Sequence, residues 1–93
     1  MFRNLGREPK AIGKRIALAR EAMGLDQSEF AEGVGKRQST CSGWETGARP
    51  PGLPIALKLC DKYALTLDYI YRGITAGLPG DLEDKLRLLK TRG

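Results

Sequence analysis

One stretch, residues 25–47, constrains the fold of this 93-residue chain more than any other feature. Asp26 can cap a short helix, and Glu29 stands three residues later, which is the spacing of a capping box. Gly35 then provides a residue that tolerates positive φ, as a tight turn requires. A second helix, about 38–46, follows and is ended by Gly47. The stretch therefore predicts two short helices joined by a glycine turn.

The second of these helices is predicted to have an inner side and an outer side. Cys41 and Trp44 are three residues apart, which predicts that they face the core. Where two helices cross closely, the first needs a small residue, and Ala31 meets that need. The outer side carries polar or small residues that can reach base edges, namely Gln38, Ser39, Ser42 and Gly43. This pattern is typical of a helix-turn-helix unit.

The rest of the chain also predicts helices, and it shows no alternation typical of strands. We expect a basic arm at 1–8, further helices within a domain at 9–73, a linker at 74–80, and an amphipathic helix at 81–93. The further helices of the domain are predicted at 9–23, 53–64 and 67–72.

The apolar stripe of the last helix must be covered by something. It can fold back on its own domain or pair with a partner chain. We favour a homodimer, because a single small DNA-binding domain gains little specificity alone. The residues predicted to contribute to that dimer are Leu82, Leu86, Leu89 and Tyr69.

Composition narrows the function. Sixteen Lys and Arg residues against eleven Asp and Glu give a net charge of +5, which suits a polyanionic partner. Two cysteines and no histidine cannot form a four-ligand zinc site, so we expect no metal and no cofactor. No metal set, catalytic triad or phosphate-binding glycine loop points to an enzyme. The sequence shows neither a secretory leader nor an apolar run that could span a bilayer, so we expect a cytoplasmic protein that does not contact membranes.

Several motifs occur in a fixed order: IGKRI at 12–16, REAMGLDQ at 20–27, STCSGWETG at 39–47 and LTLDYIYRG at 65–73. Over about residues 10–73 the sequence resembles the phage lambda-repressor and Cro-like helix-turn-helix proteins, the XRE family. The resemblance implies an all-α fold, in which a lambda-repressor-like five-helix domain is followed here by the additional C-terminal helix.

The resemblance also implies roles for single residues. The expected base contacts are Arg37, Gln38, Ser39, Ser42 and Gly43. The expected phosphate contacts are Gln27, Lys36, Thr40, Thr46, Arg49 and Lys14. Arg20 and Glu45 correspond to an ion pair that joins the first helix to the third. Three alternatives stay open. Gln27 binds a phosphate or supports the recognition helix, and Arg37 reads a guanine or holds a phosphate. Gly43 lets the backbone approach the groove or reads nothing.

The function implied is a sequence-specific regulator of transcription that binds double-stranded DNA. We expect a repressor that binds a palindromic operator as a homodimer, without a small-molecule ligand. The alternative is an antitoxin or adaptor that uses the same fold to bind another protein. The last helix distinguishes the two, since the regulator is favoured if that helix packs on its own domain or on an identical copy.

Overall fold

The computed structural model describes the backbone of residues 8–92 and the side chains of residues 8–89. Within that range the chain forms six helices and no strand: α1 Pro9–Ala22, α2 Gln27–Glu32, α3 Gln38–Thr46, α4 Leu53–Tyr63, α5 Leu67–Arg72 and α6 Gly80–Arg92. The predicted starts of α1, α3, α4 and α5 agree with these bounds, and α6 starts one residue earlier than predicted. The predicted arm lies outside the described residues except for Glu8.

Local hydrogen bonds define α2 and the turn that follows it. The Asp26 side chain accepts from the Glu29 backbone N–H at 2.8 Å, and the Glu29 side chain accepts from the Asp26 backbone N–H at 2.9 Å. Together these two bonds form a capping box. After α2, Gly35 has φ +75°, and the next residue, Lys36, donates its N–H to the Ala31 carbonyl at 2.9 Å. The turn thus changes the direction of the chain and starts α3 against α2.

Helix α1 crosses α3 with its backbone almost in contact. Gly13 lies at the crossing, where an added Cβ would collide with the carbonyl oxygens of Trp44 and Glu45. Only a residue without a side chain allows this approach. As a result, α1 packs closely behind the C-terminal part of α3.

A single core joins all six helices. Phe30 of α2 stacks on Tyr63 of α4 with ring centroids 4.4 Å apart, and the Tyr63 hydroxyl donates to the Phe30 carbonyl at 2.8 Å. The side chains with no measurable exposure are Ile16, Ala19, Phe30, Ala31, Cys41, Ala56, Leu59 and Ile70. Burial of this apolar surface is the main stabilising term of such a domain.

The C-terminal helix packs on α1 of its own chain. Leu82 and Leu86 are buried in the common core, and so is Leu78 from the segment predicted to be a linker. Tyr69 is buried as well, and its hydroxyl donates to the Arg15 carbonyl at 2.7 Å. The prediction that Leu82, Leu86 and Tyr69 face a partner chain is therefore wrong, because this chain already covers them.

The fourth residue of that predicted set, Leu89, is half-buried and lines a groove with Leu86. Within the predicted linker, Thr75 donates its hydroxyl to the Glu83 carboxylate at 3.0 Å, which joins the segment to α6. Residues 74–80 are thus a packed connection, and α6 belongs to the same body as α1.

Candidate nucleic-acid interface

The start of α3 projects from the protein surface. Arg37, Gln38 and Ser39 are exposed, whereas Cys41 and Trp44 on the opposite side are buried. Arg37 is the N-cap residue, and no side chain among the described residues caps the helix there. The first backbone N–H groups of α3 therefore remain available to an external acceptor, and the helix dipole favours an anion at this end.

A chain of hydrogen bonds connects Gln38 to α1. Gln38 Nε2 donates to Gln27 Oε1 at 2.6 Å, and Gln27 Nε2 donates to Glu45 Oε1 at 2.8 Å. Glu45 in turn accepts from Arg20, with Nε to Oε2 at 2.6 Å and Nη2 to Oε1 at 3.1 Å. The exposed Gln38 side chain is thereby oriented, through Gln27, by the bidentate ion pair of Arg20 and Glu45 beneath it.

That ion pair is largely shielded from solvent, with side-chain exposures of 13% for Arg20 and 9% for Glu45. Burial alone would raise the pKa of Glu45, but hydrogen bonds from Arg20, Gln27 and Cys41 outweigh it and hold the pKa below its usual value. The hydrogen bond to Glu45 also raises the pKa of Arg20. Both groups therefore stay charged at neutral pH.

Cys41 contributes to this cluster as a hydrogen-bond donor. Burial, followed by the nearby Glu45 carboxylate, raises the pKa of the Cys41 thiol to about 12. The protonated Sγ lies 3.3 Å from Glu45 Oε2. The thiol therefore remains protonated at pH 7 and completes the hydrogen bonding of the buried carboxylate.

Beyond Gln38, the outer face of α3 carries small side chains, and the loop after α3 folds back on it. Ser39 and Thr46 are exposed, and Ser42 and Gly43 are half-buried between them. The Thr46 hydroxyl donates to the Gly43 carbonyl and accepts from the Ala48 N–H, both at 3.3 Å. Its hydrogen-bonding capacity is thus partly used within the chain.

A helix-turn-helix family model matches residues 16–70, which is more than half of the chain. The chain belongs to the XRE family of helix-turn-helix proteins. Its all-helical architecture is that of a lambda-repressor-like domain, and the family consists of DNA-binding regulators of transcription. No curated protein and no solved structure matches the chain.

In this XRE-family domain, α2 and α3 are the two helices of the motif and α3 is the recognition helix. The residues predicted to touch bases all belong to α3 or its N-cap: Arg37, Gln38, Ser39, Ser42 and Gly43. Most residues predicted to touch phosphates lie on α2, α3 or the segments next to them: Gln27, Lys36, Thr40, Thr46 and Arg49. Gln27 is half-buried and hydrogen-bonded at both ends of its amide, as expected for a residue that supports the recognition helix.

Lys14 is separated from this group. It lines a groove with Leu18 of α1 and Leu86 of α6, on a different face of α1 from Gly13, which packs on α3. Lys10 is better placed, because it is exposed and its backbone packs against Gly47 at the end of the recognition helix. The sequence-based predictions did not include Lys10 among the phosphate contacts. The available signal was its spacing of three from Gly13, which puts both on one face of α1.

Two further properties concern the described residues as a whole. They include no cluster of His, Cys, Asp or Glu that could hold a metal ion. Their helices are all too short or too polar to cross a membrane.

Proposed function

We propose that this regulator is a repressor that binds a palindromic operator as a homodimer, with the start of α3 in the major groove. The observation that carries the proposal is the exposed Gln38 side chain, which Gln27 holds in place through a 2.6 Å hydrogen bond. An exposed amide that a partly buried ion pair orients indirectly is arranged for recognition rather than for solvation alone.

The Gln38 amide keeps the two groups that base recognition needs. One N–H is donated to Gln27, which leaves the second N–H and the amide oxygen of Gln38 available. In the major groove adenine presents the N7 acceptor beside the N6 amino donor, and a glutamine amide matches this pair bidentately. Because Gln27 already restricts the side chain, Gln38 loses less conformational freedom on binding. We therefore expect an adenine at one fixed position of each half-site.

Phosphate contacts would position the helix for this reading. The free N–H groups at the uncapped N-terminus of α3 can donate hydrogen bonds to a phosphate oxygen. Lys36 and Arg37 are next to that end, and Lys10 is next to the other end of the helix. These cations would make binding sensitive to salt while leaving sequence choice to the base contacts.

The homodimer needs a surface other than the stripe of α6. Leu53 and Leu57 lie one turn apart on α4 and are 53% and 45% exposed. They follow the loop that leaves the recognition helix, so contact between two copies here would hold the two α3 helices in a defined relation. We propose this pair as the dimer contact. A two-fold dimer would place its recognition helices about 34 Å apart, in successive major grooves of a palindrome.

The position of α6 supports a regulator over an adaptor. An adaptor would use the apolar stripe of this helix to capture another protein, but Leu82 and Leu86 are buried against the helix's own domain. A dimer bound across a promoter would exclude polymerase by occupying the site, which is why we propose repression.

Selection of bound sequences from a random duplex pool tests the proposal. The wild-type protein should enrich an inverted repeat with an adenine in each half-site. Gln38→Ala should weaken binding to that repeat by about 1–3 kcal/mol and relax the preference at this one position. Lys85→Ala, which removes an exposed cation on α6, is the matched control and should keep every preference. Equal binding of wild type and Gln38→Ala to all duplexes would contradict the proposal.

A further inference from the structure

Gly43 lacks a side chain at a position where a recognition helix faces outward, and a neighbouring residue covers it. A Cβ added to Gly43 would lie 3.4, 3.6 and 3.7 Å from Cβ, Cδ and Cγ of Arg49. These are ordinary contact distances, so the aliphatic part of Arg49 lies along the helix surface at Gly43. Arg49 therefore lies directly beside the space into which a side chain at position 43 would extend.

Backbone hydrogen bonds fix Arg49 in this position. Its N–H donates to the Gly43 carbonyl at 3.0 Å. The Thr46 hydroxyl donates to the same carbonyl and accepts from the Ala48 N–H, so the chain between the two residues is tied to the helix end. Gly47, with φ +85°, makes the sharp turn that brings the loop back over α3. The Arg49 backbone is thus preorganised relative to the recognition helix.

The Arg49 guanidinium is available to an external ligand. The residue is exposed, and among the described residues none forms a hydrogen bond or ion pair with its side chain. Arg20 differs in this respect, because its guanidinium is committed to Glu45. A guanidinium offers five N–H donors in a planar fork that matches the O6 and N7 acceptors of guanine.

The neighbouring side chains on this face are short. Ser39, Ser42 and Thr46 let the helix surface come close to the floor of a groove. Arg49 is then the long side chain that this part of the helix presents.

We propose that Arg49 reads a guanine in the major groove, in the place of the side chain that Gly43 lacks. This inference rests on the proposed function. It makes Arg49 a determinant of specificity rather than a phosphate contact.

The test compares four proteins: wild type, Arg49→Ala, Gly43→Gln and the control Lys85→Ala. Each is used to select sequences from a random duplex pool, and the affinity for the wild-type repeat is measured over a series of salt concentrations. Arg49→Ala should lose a guanine preference at one base pair of each half-site, by roughly 5- to 150-fold, with the other positions unchanged. Gly43→Gln should change the preference at that same base pair, since its side chain would extend along Arg49 toward the same part of the groove.

The outcomes separate cleanly. One outcome is that Arg49→Ala weakens binding to all sequences alike and reduces, by about one, the slope of log binding constant against log salt concentration. Arg49 is then a phosphate contact and the inference is overturned. It is also overturned if the two variants change different base pairs. If wild type enriches no sequence, the proposed function fails and the inference fails with it. If wild type enriches an inverted repeat and Arg49→Ala keeps every base preference, this inference alone fails. Because Arg49 is exposed, its truncation leaves the fold intact, which circular dichroism verifies.

Discussion

The Arg20 guanidinium has two carboxylates near it that differ greatly in burial. Glu45 accepts from it at 2.6 Å and is 9% exposed, whereas Glu21 lies 4.0 Å away and is 52% exposed. We predict that Glu45→Ala lowers the free energy of unfolding by about 3 kcal/mol. Glu21→Ala should change it by no more than about 0.5 kcal/mol, because exposed pairs contribute little.

The larger value follows from what Glu45→Ala leaves behind. The carboxylate accepts four hydrogen bonds, two from Arg20 and one each from Gln27 and Cys41. Breaking a buried ion pair costs about 3–5 kcal/mol, because the remaining charge is left without its partner. Arg20 would still donate to the Leu25 carbonyl at 2.9 Å, and its side chain is 13% exposed. The lower end of that range is therefore expected.

Urea unfolding followed by the fluorescence of the buried Trp44 measures the difference, provided that the denaturant slope stays constant. The effect should depend on pH with a definite sign. The folded pKa of Glu45 lies below its ordinary value of 4.5, so its stabilisation is complete above about pH 4.5 and is lost as pH falls through the folded pKa. The difference in the free energy of unfolding between wild type and Glu45→Ala should therefore become smaller in acid. Equal effects of the two alanine variants at pH 7 would refute this reasoning.

Two further substitutions test the packing and the assembly. Gly13→Ala should lower the free energy of unfolding by about 1–3 kcal/mol, and the melting temperature with it, because its Cβ collides with the Trp44 carbonyl. Gly80→Ala, whose Cβ would meet no described atom within 4 Å, should leave the melting temperature unchanged or raise it. A Gly13→Ala protein as stable as wild type would disprove the close crossing of α1 and α3. Leu57→Glu should shift sedimentation equilibrium from dimer to monomer, while Leu88→Glu, at a residue that is 64% exposed on α6, should stay dimeric. If Leu57→Glu remains a dimer, the contact lies elsewhere.

The recognition motif could be predicted from the sequence because its signals are local. The capping box of Asp26 and Glu29 and the positive φ of Gly35 each depend on residues within a few positions of one another. The spacing of Cys41 and Trp44 likewise determines which side of α3 turns inward once α3 is a helix. Family membership depends on the same ordered spacing, so the pattern alone was enough to indicate it.

Long-range placement required the tertiary structure. An apolar stripe requires burial, but any apolar surface of suitable shape satisfies it, so the sequence could not distinguish α1 of the same chain from a second copy as the cover of Leu82 and Leu86. The same holds for the support of Gln38 by Gln27 and for the position of Arg49 over Gly43, which join residues six to eleven positions apart. Those contacts depend on where the turns send the chain. The local pattern therefore determined that a recognition helix exists, and only the packing of the whole domain decided what supports it and which side chains it presents.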